Sequence, residues 1–318
     1  MKMHLWGQFE FLTRSNGGYM KKHNIISFLF LSFFSLTIIE GKGEWLDPNN
    51  PEDAVKIMRK VSSSLIDNEP TYFWFYGSVY SHKLGEKDRH LFDYQGLNVR
   101  ATKTVTNEEH GYGYEYVSRE VLFYLDPKTG ELIHQWENPW TGKTVDIIHI
   151  ANDPVNSRYP TYAYGKRGPF KLPAVVQGGH FMMNMEIPLF YPNPLGGDFQ
   201  KQVGGYYQAH EMFNWFGRTD DLFDESKPTS TDVNVGWARS AQWLPWMEMG
   251  SIEGSTLYHG LGKRVALFED LPEVLKNTIR EKYPKYEFPP PIDDDRPNMT
   301  SWIYYKKLIN GDIPNPWE

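Results

Sequence analysis

The spacing of apolar positions divides the chain into a helical opening, a long run of strand-like segments with a looser middle, and a helical end. Asn50 can cap a first helix, with Pro51 in its first turn and Glu52 and Asp53 suited to its dipole. Val55, Met58, Val61 and Leu65 then form one apolar stripe. From Thr71 the period shortens to two, and aromatic and β-branched residues alternate with polar ones. Tyr72 to Tyr80, Leu91 to Val105, Tyr112 to Leu125, Glu131 to Glu137 and Lys143 to Ile150 read as successive strands. Two connections nearly repeat each other, Asp126-Pro127-Lys128-Thr129-Gly130 and Asn138-Pro139-Trp140-Thr141-Gly142. Each sets Asp or Asn, Pro and Gly where a tight turn needs them, so both predict hairpins. The first should pair Glu120 to Leu125 with Glu131 to Trp136.

The middle is rich in breakers, with Pro169, Pro173, Pro188, Pro192 and Pro194 among Gly178, Gly179, Gly196 and Gly197, and reads as long loops. Strand patterns resume at Gly205 to Phe216, Asn234 to Trp243 and Thr256 to Phe268. A second helix, with Asp270 as cap and Pro272 in its first turn, carries Val274, Leu275 and Ile279 until Pro284 stops it. A last short helix covers Trp302 to Ile309, after a proline-rich, acidic tail that begins near Phe288. The expected fold is therefore mainly β. An antiparallel meander closes into a barrel-like, calycin-like domain with short terminal helices, because closure removes exposed sheet edges.

Composition adds three constraints. The chain has no cysteine, so disulfides, thiol nucleophiles, thiolate metal sites and a lipoprotein anchor are excluded. Lys21, Lys22 and His23 precede an apolar run from Ile25 to Ile39, about fifteen residues and shorter than the ~20 that span a bilayer. Met20 to Gly43 therefore reads as a signal peptide with small residues, Gly41 and Gly43, before a cleavage at Glu44. Residues 1–19 read as an over-long gene start. Residues 44–318 read as a single β-rich domain, periplasmic or secreted, with no stable membrane anchor. That body carries 28 basic and 38 acidic residues, a net charge of −10, which disfavours nucleic acid as a partner. Aromatic content of 16%, with 11 Trp and 20 Tyr, suits strands and an aromatic-lined cavity for a small molecule.

Several stretches resemble the bacterial and fungal family catalogued as domain of unknown function 1838. They are Ser118-Arg119-Glu120, the two turns with Trp136-Glu137, and Asn152-Asp153-Pro154-Val155-Asn156. Further on come His210-Glu211-Met212-Phe213, Trp243-Leu244-Pro245-Trp246-Met247-Glu248-Met249-Gly250 and Arg296-Pro297-Asn298-Met299-Thr300-Ser301-Trp302. The resemblance spans roughly Trp74 to Lys306 and implies no particular reaction. Members of the family often look exported, some through a twin-arginine signal; here Lys21-Lys22 replaces that pair, which favours the general secretory route.

Common catalytic signatures are absent: the chain has no Gly-x-Ser-x-Gly elbow, dinucleotide fingerprint or phosphate loop. His210-Glu211-Met212-Phe213-Asn214 starts like a zinc-protease helix but has Asn where the second His must stand. Ionisable residues among apolar ones are the remaining candidates. Glu120 and Arg119 point to opposite faces of one strand, and an enclosed Glu can serve as acid or base. His134, Trp136 and Asn138 share a face, as do Val145, Ile147 and His149, so His149 is a candidate base oriented by Asp153. A second cluster holds His210, Glu211, Arg239, Trp243, Trp246, Glu248, Tyr258 and His259. Its carboxylates and histidines would suit zinc or another first-row divalent ion, though no cofactor is otherwise called for. The resulting expectation is an enzyme using acid–base chemistry on a small, largely hydrophobic molecule. Glu120, His149, His210 and Glu248 are the proton-transfer candidates. Arg119, Trp136, Asn138, Arg239, Trp243, Trp246 and Tyr258 are the binding candidates. A lipocalin-like carrier without catalysis is the alternative.

Overall fold

The period-two segments pair into one large antiparallel sheet. The computed structural model describes residues 45–157, 159–195 and 204–318, so the expected leader lies outside the described residues. The long strands are β1 (Thr71–His82), β2 (His90–Asn107) and β3 (Gly111–Leu125), then short β4 (Gln135–Glu137), β5 (Thr144–Asp146) and β6 (Ile150–Asn152). Three two-residue strands follow, β7 (Thr161–Tyr162), β8 (Tyr164–Gly165) and β9 (Gly168–Pro169). The rest are β10 (Ala174–Gln177), β11 (His180–Pro192), β12 (Tyr206–Arg218), β13 (Val233–Gln242) and β14 (Ser255–Val265). Helices α1 (Pro51–Ser62), α2 (Glu273–Lys282) and α3 (Ser301–Ile309) complete the frame. The main sheet runs β10-β11-β12-β13-β14-β1-β2-β3-β6, with β7 also on β3; β4–β5 and β8–β9 are separate hairpins.

The sheet rolls up, yet its hydrogen-bonded ladder is open. Tyr124 on β3 and Tyr258 on β14 meet hydroxyl to hydroxyl at 2.9 Å although β2 and β1 stand between their strands. Three strand spacings on a flat sheet would part their backbones by about 14 Å, so the face carrying both is concave. No pairing joins β10 to β6 among the described residues. Instead α3 lies along β6, while its Trp302 packs on Tyr207 of β12 at 4.9 Å and its Lys306 donates to the Pro194 carbonyl at 3.1 Å. A helix thus fills the gap that a barrel would close with backbone bonds.

Both ends of the concave face are plugged. At one end Asn50 caps α1 by accepting from the amides of Glu52 and Asp53, and Ile57 and Val61 pack with Phe73, Phe181, Trp215 and Val235. Buried Arg264 of β14 holds the last turn of α1, donating to the carbonyls of Lys60, Val61 and Ser63 at 2.9–3.0 Å. Those are the carbonyls that a helix end leaves unpaired. At the other end the β4–β5 hairpin and the single turn Pro245–Met247 bring Trp136, Trp243, Trp246 and Met247 against Val79, Phe92 and Tyr124.

The two near-repeated turns fold alike. Each Asp126 or Asn138 carboxyl or amide oxygen accepts two backbone amides, and Gly130 and Gly142 have φ of 72° and 69°, a region that favours glycine. Their partners differ from expectation, however. Asn138 leads into the β4–β5 hairpin, whereas after Asp126 only the bridge Leu125↔Leu132 and its neighbouring bonds form before the chain leaves β3. The edge of β3 is taken by β6 instead, with Glu120↔Asn152 and Leu122↔Ile150 in register. The segment expected as one strand, Lys143 to Ile150, is split into β5 and β6.

The looser middle contains the largest departure, because β11 pairs with β12 over its whole length. Phe181, Met183, Met185, Ile187, Leu189 and Tyr191 alternate towards the concave face. Beyond Met183 no strand among the described residues pairs with its other side, the side on which a proline costs no ladder bond.

Candidate functional site

The concave face between the two plugs is where ionisable groups gather, and the strand registers place each one. Across β12, β13 and β14 the pairs Glu211↔Arg239 and Arg239↔Tyr258 stand side by side, with Phe213↔Trp237 one step along. On the opposite wall, β2 and β3 present Tyr94↔Tyr124 and Asn98↔Glu120. The roll brings these walls within each other's field, since Glu120 raises the pKa of Glu211 although four strands separate theirs.

Arg239 is the centre of this group. Its guanidinium lies 3.4 Å from the Glu211 carboxylate, donates to the Tyr207 hydroxyl, and sits 5.7 Å over the Tyr258 ring. Burial raises the Glu211 carboxyl above its usual range, against the pull of Arg239 and with the help of Glu120. Tyr258 is pushed up to about 12, chiefly by burial. Glu120 accepts from the Asn152 side-chain amide at 2.7 Å, which fixes one carboxylate oxygen.

Around these ions the wall is aromatic. Trp237 meets Tyr94 and Tyr258 at 5.6 Å and Phe75 and Phe213 at 6.3 Å. Met185, Ile187, Glu211, Phe213, Trp237, Phe75, Asn98 and Glu120 all keep partial solvent contact, so the face is reachable. Among the buried polar atoms on it without a hydrogen-bond partner among the described residues are Tyr94 Oη, Asn152 Oδ1, Trp237 Nε1 and Arg239 Nε. Buried polar atoms left this way are costly, and their clustering on one face marks it as the candidate site.

The structure divides the sequence-predicted residues. Glu120, Arg239 and Tyr258 lie together on the concave face. Arg119 faces the other way, and its Nε donates to buried Asp153 at 2.8 Å. Asp153 also binds Lys285 at 2.7 Å and Arg296 at 3.0 Å. Burial opposes its ionisation, but these three cations hold its carboxyl down at about 2. Asp153 therefore does not orient His149. The imidazole Nδ1 accepts the Tyr124 amide at 3.1 Å, Trp317 and Phe123 cover the ring, and burial beside His134 lowers its pKa to about 3.

The remaining candidates serve the framework or face solvent. His210 is exposed, 3.6 Å from Glu186, because β12 alternation sends it opposite to Glu211. Glu248 pairs with exposed Lys143 at 2.9 Å and has φ of 50°. Trp136, Trp243 and Trp246 belong to the hydrophobic plug, and buried Asn138 donates to the Met247 carbonyl at 2.8 Å. Among the described residues no three His, Asp or Glu side chains gather in a way that could hold a metal ion. A shallow surface hollow of about 700 Å³, lined by His82, Lys83, Trp140, Glu253 and others, carries none of the proton-transfer candidates.

Sequence reasoning set Glu211 in its second cluster but not among the proton-transfer or binding candidates, and it missed Tyr94, Trp237, Tyr124 and Tyr207 as site residues. Glu211 had a readable signal, because it shares a strand face with Tyr207, Ala209, Phe213 and Trp215. A carboxylate in such a row needs a partner or a task.

Comparison with known proteins agrees with the resemblance seen in the motifs. No curated protein matches the chain. The model of a family described as a protein of unknown function, DUF1838, matches residues 68–309. That match covers most of the chain and every site residue named above, and the chain belongs to the DUF1838 family.

Proposed function

We propose that this chain is an exported enzyme using acid–base chemistry on a small, largely hydrophobic molecule held in the rolled, barrel-like sheet. One observation carries the reading. Two carboxylates from distant strands, Glu120 and Glu211, share an aromatic-lined face with a buried arginine, and Glu211 is raised towards the range where it exchanges protons. Glu211 is the first choice for proton transfer, because burial strengthens it as a base while 18% of its side chain stays accessible. Glu120, fixed by Asn152, is the second group, and Arg239 offsets part of the charge on Glu211. This set supports isomerisation, elimination, hydration or hydrolysis.

The test uses the purified protein and a metabolite extract followed by mass spectrometry. The wild type should consume one or a few apolar compounds, and Glu211→Gln, which preserves size, should retain those compounds without converting them. If wild type and variant both retain the same compounds unchanged, the protein is a carrier of lipocalin-like shape and the enzyme reading fails.

A further inference from the structure

Of the four unpartnered atoms named on the concave face, Asn152 Oδ1 is an acceptor beside Glu120, and the other three can donate. Arg239 Nε and Trp237 Nε1 can only donate, and the Tyr94 hydroxyl has a proton to give. All three side chains surround one ring: Tyr258 lies 6.0 Å from the Tyr94 ring, 5.6 Å from Trp237, and 5.7 Å below the Arg239 guanidinium. Tyr94 and Arg239 are both at least nine-tenths buried.

The backbone is shaped for one of them. Tyr94 reaches across two strands, and its hydroxyl rests where β1 and β14 bear Gly77 and Gly260. A Cβ on Gly260 would fall 1.9 Å from that oxygen, and one on Gly77 would fall 2.7 Å away. Two paired glycines thus make room for a hydroxyl that no group among the described residues uses. Neighbouring Arg239 is already engaged through its two terminal nitrogens, with Glu211 and Tyr207, so its Nε is the donor left over.

We propose that Tyr94, Trp237 and Arg239 form a pocket for an oxygen atom that is, or becomes, negatively charged: the carbonyl oxygen of an aromatic or otherwise planar apolar substrate. The inference rests on the acid–base reading and narrows it to proton transfer next to a carbonyl. The Glu211 carboxylate takes a proton from the carbon beside the carbonyl. The C–H electron pair becomes a C=C bond, and the carbonyl π pair moves onto oxygen. The three donors meet that charge as it develops, and a donor set fixed before the reaction is the most effective kind. Where the substrate carries a double bond between its β and γ carbons, the enolate extends over it, and return of the proton to the γ carbon moves that bond to the α,β position, restores the carbonyl and yields an isomer. No oxidant, reductant or co-reactant is consumed. Phe75, Phe213, Met185 and Ile187 supply the flat apolar wall for the body of the molecule.

A phenolate mimics an enolate, so 4-nitrophenol is the probe and 4-nitrotoluene, with methyl in place of hydroxyl, is its control. Bound 4-nitrophenol should show phenolate absorbance at a pH where the free compound is mostly neutral, and it should bind more tightly than 4-nitrotoluene. Tyr94→Phe, which keeps the ring over the glycines, should weaken 4-nitrophenol about tenfold, as expected for one lost bond to a charged oxygen. It should leave 4-nitrotoluene unchanged. Trp237→Phe, with its fold checked by circular dichroism, should weaken the phenolate signal in the same sense. Equal binding of the two probes without phenolate absorbance overturns the oxygen pocket but leaves the Glu211→Gln turnover test standing. Binding of neither probe overturns the pocket together with the aromatic site it needs.

Discussion

Asp153 offers the sharpest test of how the convex side is held. Its carboxylate is 2% exposed and is met by Arg119, Lys285 and Arg296. Lys285 and Arg296 are about half exposed, so solvent screens much of their contribution, and Arg119, with 10% of its side chain exposed, is the partner that matters. Arg119 also donates to the carbonyls of Lys285 and Phe288, tying β3 to the segment after α2. The carboxyl is depressed from 3.8 to about 2, which corresponds to about 2.5 kcal/mol of stability at neutral pH. Because the folded pKa lies below the unfolded one, that stability is complete above pH 4 and is lost as the pH falls towards 2. Asp153→Asn leaves the Arg119 charge buried without its counter-ion, so the loss at pH 7 should lie between about 2.5 and 5 kcal/mol. Urea unfolding of wild type and variant at stepped pH measures both quantities. The gap between them should narrow between pH 4 and pH 2. A gap below about 1 kcal/mol at pH 7, or one that does not change over that window, refutes the account of a buried, charge-held clasp.

Further expectations can be checked with the same material. Gly260→Ala should destabilise by about 1–3 kcal/mol, as overpacking does, because its Cβ also meets the Tyr76 carbonyl at 2.5 Å. Gly236→Ala, whose Cβ finds nothing nearer than 3.5 Å, should stay within about 0.5 kcal/mol of wild type in thermal melts. The His149 ring should stay neutral, with its proton on Nε2, from pH 7 down to about pH 4, and nitrogen NMR shifts would show otherwise if it titrates near 6.5. Glu248→Gly should leave stability unchanged or slightly improved, since glycine favours the positive φ there and the lost Lys143 pair is exposed. A large loss of turnover in that variant would return Glu248 to the list of catalytic groups.

Period-two patterning was enough to reveal β1, β2, β3, β12, β13 and β14 from residues alone, and it is cleanest at β12 and β14, where one face is packed and the other wet. It failed at β11, where Pro188 and Pro192 look like breakers although they lie on a strand whose far side has no partner beyond Met183 among the described residues. The site was half legible for a related reason. Alternation separates Glu120 from Arg119, but both faces of β3 are covered, one by the roll of its own sheet and the other by residues 285–296, more than 160 positions away. Nothing local to Ser118-Arg119-Glu120 says which of the two faces is the chemical one. His149 looked like a base because Asp153 is near in sequence, whereas in space the cations have claimed that carboxylate.

The pairing of β1 with β14 also decides when the molecule can become itself. Tyr72 finds Val265, and the last turn of α1 finds Arg264, across about 190 to 200 residues of intervening chain. Neither the central pair of strands nor the α1 plug can form on a nascent chain until nearly all of it has been made. Contacts this distant in sequence make for slow folding and long exposure of aromatic strands. The seam between β1 and β14 therefore waits for the C-terminal third of the chain, and that third is also what places Tyr258 beneath Arg239.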